Sequence, residues 1–135
     1  MDKGDACRCG EAPKMMFACS GGSDVGEIAD RTARRLFAGG AGKIYCLSGI
    51  CGYVAGILKT TESAGLALVI DGCPVDCGKK TLEHAGLSGF IHLQVTDLGM
   101  EKGKSPATDE HISRAVEKVG ALLLKRKGGL SWQNF

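Results

Sequence analysis

At 135 residues the chain has the size of one domain, long enough to bury a core without disulfide staples. A net charge of +2, from 17 basic and 15 acidic residues, is too small a field to argue for nucleic acid, and 5% aromatics leave few platforms for stacking bases. Apolar residues at 44% exclude a disordered chain, and no apolar run approaches the roughly 20 residues of a spanning helix, so no membrane partner is expected either.

Residues 1–14 read as a flexible arm bearing Cys7-Arg8-Cys9-Gly10. The arm has charges and no apolar signal-peptide core, which predicts a cytoplasmic location. The seven cysteines are then expected as reduced thiols, a usage that favours metal binding or catalysis over a disulfide framework. Burial as a small hydrophobe is the competing fate for any one of them.

The domain is expected over 15–127, followed by a tail at 128–135 that carries Trp132. Met15 to Ala18 reads as strand one. Cys19-Ser20-Gly21-Gly22 turns the chain, and Ser23 or Asp24 caps a helix whose apolar positions are 25, 28, 29, 33, 36 and 37. Gly39-Gly40 stops it. Lys43 to Leu47 is strand two, with a turn at Ser48-Gly49. Ile50, Tyr53, Val54, Ile57 and Leu58 mark one face of a second helix, predicted to run until near Gly65. Leu66 to Ile70 is apolar on both faces and reads as a strand buried on both. Asp71-Gly72-Cys73-Pro74-Val75-Asp76-Cys77 follows, with Pro74 predicted in the first turn of a short third helix ending at Gly86. Phe90 to Val95 alternates and reads as strand four with one wet face or edge. A loop from Asp97 to Pro106 leads to a last helix capped by Thr108 or Asp109, with Ile112, Ala115, Val116, Val119, Leu122 and Leu123 inward.

Strand and helix alternating four times predict an α/β domain with helices on both faces of a mainly parallel four-stranded sheet. Strand three looks central and strand four looks like an edge. The flavodoxin-like order 2-1-3-4 satisfies both, whereas 3-2-1-4 would leave apolar strand three at an edge.

Ligands of open parallel sheets bind at the carboxyl ends of the strands. Cys19, Cys46 and Cys73 each stand at such an end, and Cys77 lies just inside the next helix. In the order 2-1-3-4 these thiols gather on one edge. Neighbouring strands are about 4.8 Å apart, and two sulfurs on one zinc roughly 3.8 Å apart, so turns can bring the set to one ion. Thiolates favour zinc or an iron–sulfur cluster over calcium or magnesium. Helix starts after strands one and three can lower thiol pKa values, and Lys79 and Lys80 either add to this or are simply solvated on a short helix. Asp71 reads as an outer-sphere acceptor or as a turn residue.

Several further stretches fit a pattern. Cys19-Ser20-Gly21, Gly26-Glu27-Ile28-Ala29-Asp30, Tyr45-Cys46-Leu47-Ser48-Gly49-Ile50, Asp71-Gly72-Cys73-Pro74 with Cys77, Lys80-Thr81-Leu82-Glu83 with Ala85-Gly86, and Asp97-Leu98-Gly99-Met100 with Lys102 together resemble the DGC-domain family. These are small proteins named for an Asp-Gly-Cys motif, and the resemblance covers roughly residues 15 to 120. It implies a zinc site of four cysteines, which fall on Cys19, Cys46, Cys73 and Cys77, the same set chosen by position. Cys7, Cys9 and Cys51 lie outside it. It implies no assigned biochemical role.

The first expectation is therefore a zinc-binding protein. A closed four-thiolate site is ordinarily structural, but a domain of this length folds without an ion, so a functional or sensing site is the second form of that reading. The alternative is a thiol-based redox or sulfur- or metalloid-handling enzyme using the same cysteines, since Cys19 opens a glycine-rich strand-to-helix loop where thiolates are activated. A phosphatase or arsenate reductase of the small phosphotyrosine type would need Cys-x5-Arg, and the position six after Cys19 is Val25. Phosphate binding at Ser20 to Ser23 is weaker still, because neither a Gly-x4-Gly-Lys-Ser/Thr nor a Gly-x-Gly-x-x-Gly pattern follows strand one. His84, His92 and His111 read as surface or edge histidines, and Lys102 either meets an anion or faces water.

Overall fold

The computed structural model describes residues 13–125; the expected tail lies outside them, as does the expected arm apart from Pro13 and Lys14. Four strands, β1 (Lys14–Ala18), β2 (Lys43–Ile44), β3 (Leu66–Asp71) and β4 (Ile91–Gln94), form one parallel sheet in the order β2-β1-β3-β4. This is the expected order, and the burial pattern explains it. All six residues of β3 are buried, as a strand covered on both faces must be, while β4 at the edge has one buried residue and three half-buried ones.

Alternation along the strands sorts side chains into two layers. Met16, Leu68 and Ile70 face α1 (Asp24–Ala38) and α5 (Asp109–Lys125), where they meet Val25, Ile28, Ala29, Ile112, Ala115 and Val119. Met15, Phe17, Ala67 and Val69 face the other way, toward Ile50 of α2 (Leu47–Cys51), Ile57 and Leu58 of α3 (Ala55–Glu62) and Leu82 of α4 (Cys77–His84). Burying each large apolar side chain contributes about 1.5–3 kcal/mol, so both faces of the sheet are closed by ordinary apolar packing. The outer face of α1 carries the exposed pairs Arg31–Glu27 and Arg34–Asp30, which contribute only a few tenths of a kcal/mol each. Ser23 caps α1 through Gly26 N (3.1 Å), and Thr108 caps α5 through His111 N (3.2 Å).

The structure departs from the sequence-based expectation in three places. The predicted second helix is two helices, α2 and α3, separated at Gly52-Tyr53-Val54. Gly52 caps α2, and Tyr53 takes a left-handed φ of 53°, which a continuous helix does not allow. Apolar spacing continues across the break because both helices press on the same sheet face, so periodicity alone misses it. Strand β2 is only two residues long, since Cys46 already serves as the N-cap of α2. Helix α4 starts at Cys77, and Pro74 lies in the turn before it. Among the described residues no helix is long and apolar enough to cross a membrane.

Candidate functional site

The parallel sheet sends every strand's carboxyl end to one edge, and the cysteines singled out by spacing emerge there. Cys19 directly follows β1, and its N–H donates to Ile70 O (2.9 Å), which holds it beside the end of β3. Cys46 stands after β2 as the cap of α2. Its Sγ accepts from Gly49 N at 3.3 Å and lies 3.1 Å from Ser48 Oγ. The Ser48 hydroxyl, and after it the Gly49 N–H, hold this thiol below the ordinary cysteine range. Cys73 is half-buried two residues past β3, with Lys102 Nζ 3.8 Å from its Sγ. Cys77 opens α4 and is exposed.

The Asp-Gly pair before Cys73 has structural work of its own. Asp71 is 1% exposed. Its Oδ1 accepts from Gly78 N (2.7 Å), and its Oδ2 accepts from Lys79 N (3.0 Å) and lies 2.9 Å from His92 Nε2. Those two N–H groups are orphan donors of the first turn of α4, so the carboxylate takes the place of a helix cap. At Gly72 a β-carbon would lie 2.7 Å from Gly26 N and 2.8 Å from Val25 C. The bare glycine lets the end of β3 rest against the first turn of α1, and that contact sets where Cys73 begins.

A loop covers the same edge. After the 3-10 turn Val95–Leu98 the chain buries Met100 and presents Lys102 to Cys73. Asp24, in the first turn of α1, ties this loop down, accepting from Gly103 N (2.9 Å) and Ser105 N (3.1 Å). The Gly103 N–H is the largest influence holding the Asp24 carboxyl below its usual range; partial burial opposes it, and the Val25 and Ser105 N–H groups reinforce it. Lys102 therefore meets a thiol.

The donor set suits zinc or an iron–sulfur cluster, being thiols supported by helix starts and a lysine. Their spacing is wider than a shared ion requires. Among the described residues, the one group of three or more potential ligands with donor atoms within 4.8 Å of one another is Asp71, Asp76 and His92, so no three of the sulfurs stand that close. Cys51 sits apart, exposed in a groove of about 350 Å³ with Tyr53, Lys80 and His84, and Cys7 and Cys9 lie outside the described residues.

Sequence reasoning passed over His92 and Asp76. His92 is on the edge strand, as expected of an edge histidine, but its ring is only 20% exposed and faces both Asp71 and Asp76 (3.4 Å). The alternation of β4 holds the available signal. His92 and Gln94 point to the face opposite Ile91 and Leu93, and the register pairs them with Val69 and Asp71. His111 Nδ1 bonds Pro106 O (2.7 Å), and His84 offers its backbone oxygen to Tyr53 OH (3.1 Å).

Comparison with known proteins matches residues 15–119 to the DGC domain. The anaerobic and virulence modulator AnvM of Pseudomonas aeruginosa is 31% identical over 88 residues, covering 65% of this chain and 67% of that protein. No solved structure matches the chain.

Proposed function

This chain belongs to the DGC-domain family, and we propose that its work is done by a zinc ion held by Cys19, Cys46, Cys73 and Cys77 at the carboxyl edge of the sheet. The observation that supports this reading is that three neighbouring strand ends and one helix start, each bearing a cysteine, lie along a single edge of the sheet. Soft thiolates select zinc, or in a second metal form an iron–sulfur cluster. Four thiolates around a divalent ion leave two negative charges, which Lys102 and the start of α4 offset. Binding requires the sulfurs to approach to roughly 3.8 Å of one another, and Cys46 and Cys77 are exposed, so an ion can reach them from solvent.

The ion is functional in this reading. Both sheet faces are closed by apolar clusters, so folding has no need of it. AnvM carries the name anaerobic and virulence modulator, and an exposed thiolate site that loses its metal on oxidation is chemistry a modulator of that name can use. A reducing cytoplasm would keep the thiols ready.

The test is metal content and absorption of protein purified without oxygen, for wild type and Cys73→Ser. One zinc per chain that is lost in the variant, with no visible band, is the expected result. Iron with a visible chromophore replaces zinc by a cluster, and metal-free protein with free thiols ends the metal reading. Chelation should leave the unfolding transition in place, whereas removal of a structural ion unfolds its domain.

Thiol chemistry is the second reading, and the lowered pKa of exposed Cys46 favours it. It requires a cysteine that iodoacetamide labels faster than free cysteine at neutral pH; equal or slower labelling at every thiol refutes it.

A further inference from the structure

Helix α4 has no cap from its own sequence. Its N-cap position is Asp76, which sits at φ 58°, a left-handed conformation that residues with a β-carbon rarely adopt, and whose side chain makes no capping hydrogen bond. That side chain turns away to accept from Gln94 Nε2 (2.7 Å). The orphan N–H groups of Gly78 and Lys79 go instead to Asp71 at the end of β3, and His92 of β4 takes a place on the same carboxylate. A β-carbon at Gly78 would lie 2.8 Å from Val69 Cγ1 and 2.9 Å from Asp71 Oδ1, so the glycine lets the helix start close on both the β3 side chain and the carboxylate. Residues of two strands thus hold the start of α4: Asp71 of β3 takes its N–H groups, Gln94 of β4 takes Asp76, and His92 of β4 lies between the two carboxylates, 2.9 Å from Asp71 and 3.4 Å from Asp76.

We infer that Asp71, His92 and Gln94 are positioning residues for Cys73 and Cys77: a helix cap reaching forward from the end of β3 and braced by β4, which sets the bend between the two thiols. The aspartate of the Asp-Gly-Cys motif then acts on the cysteines through the helix start and is not itself a ligand. Asp71 is engaged by backbone donors on both oxygens and is buried, which leaves the thiols, not the carboxylate, at the surface. What the placed thiols do rests on the metal reading above; their placement does not.

The full chain is tested as wild type, Asp71→Ala, Asp71→Asn, His92→Gln and Gln94→Ala. The readouts are amide exchange at Gly78 and Lys79, iodoacetamide labelling of Cys73 and Cys77 with Cys46 as internal reference, and zinc affinity by competition with a chromophoric chelator. Asp71→Ala should speed exchange of the two amides by about tenfold or more, as expected for the loss of hydrogen bonds to a charged acceptor. Labelling of Cys77 should change several-fold while that of Cys46 stays level. Zinc binding should weaken by about 10–100-fold, the usual effect of removing a group that orients ligands. Asp71→Asn and His92→Gln, which keep part of the hydrogen bonding, should fall between wild type and alanine. They decide the matter if Asp71→Ala does not fold. Gln94→Ala, which frees Asp76, should move Cys77 labelling in the same sense as Asp71→Ala. Unchanged exchange and labelling, or a uniform rise at all amides and at Cys46, overturns the inference. Wild-type protein that binds no zinc defeats the metal reading alone, since exchange and labelling still report the placement.

Discussion

Gly72→Ala inserts one methyl group where the end of β3 meets the first turn of α1. The added carbon would stand 2.7 Å from Gly26 N, 2.8 Å from Val25 C and 2.9 Å from Val25 O. All three neighbours are backbone, and the turn they belong to is fixed by the Ser23 cap and by the hydrogen bonds of Asp24 to the covering loop. No rotamer change relieves the contact, so strand and helix must separate. Overpacking typically costs 1–3 kcal/mol, and a contact that is backbone throughout belongs at the top of that range, about 3 kcal/mol. Gly49→Ala provides the contrast, because the nearest atom there is the terminal carbon of Ile57, which can swing aside, at a cost of about 1 kcal/mol. Urea unfolding followed by far-UV circular dichroism reads both. With a slope of about 1.5 kcal/mol per molar urea, Gly72→Ala lowers the midpoint by about 2 M and Gly49→Ala by about 0.7 M. A Gly72→Ala midpoint within about 0.5 M of wild type, or a larger loss for Gly49→Ala, refutes the argument from close approach.

Two further expectations concern titration. Cys46 should alkylate with a pH midpoint below that of an ordinary thiol, and Ser48→Ala should move the midpoint upward by removing the hydroxyl that does most to lower it; a pH–rate profile with mass-spectrometric detection checks this, and an unmoved midpoint counts against the Ser48 contact. Asp24 has a lowered folded-state pKa, so its stabilising contribution is complete above its unfolded value of about 3.9 and is lost as pH falls through the folded value. Asp24→Asn should therefore be less stable than wild type at pH 7, with faster exchange of the Gly103 amide, and the two proteins should converge as the pH falls through the folded-state value. A gap that persists in acid would place the effect in packing.

Much of the fold was legible because it depends on local pattern. The unbroken apolar run of β3 marks a strand covered on both faces, the alternation of β4 marks an edge, and those two facts select the order β2-β1-β3-β4. Helices α1 and α5 follow from apolar spacing with Ser23 and Thr108 as caps. The break between α2 and α3 was missed because apolar spacing runs on across it; Gly52, which caps α2, is the local stop signal that spacing outweighed, and Tyr53 after it takes the left-handed φ. Nor was the start of α4 legible, because a proline three residues ahead of Cys77 looks like a first-turn proline while the actual cap is Asp71, back at the end of β3.

The candidate site divides in the same way. The sequence by itself determined that Cys19, Cys46, Cys73 and Cys77 stand at strand ends and a helix start, since parallel topology sends all such ends to one edge. Only the tertiary structure decided what surrounds them. Asp71 meets His92 across 21 residues, Lys102 meets Cys73 across 29, and Asp24 meets Gly103 across 79. Hydrophobic periodicity places a side chain on a face; which polar group it finds there depends on strand register and on the path of a covering loop, and both are settled by packing between segments far apart in the chain.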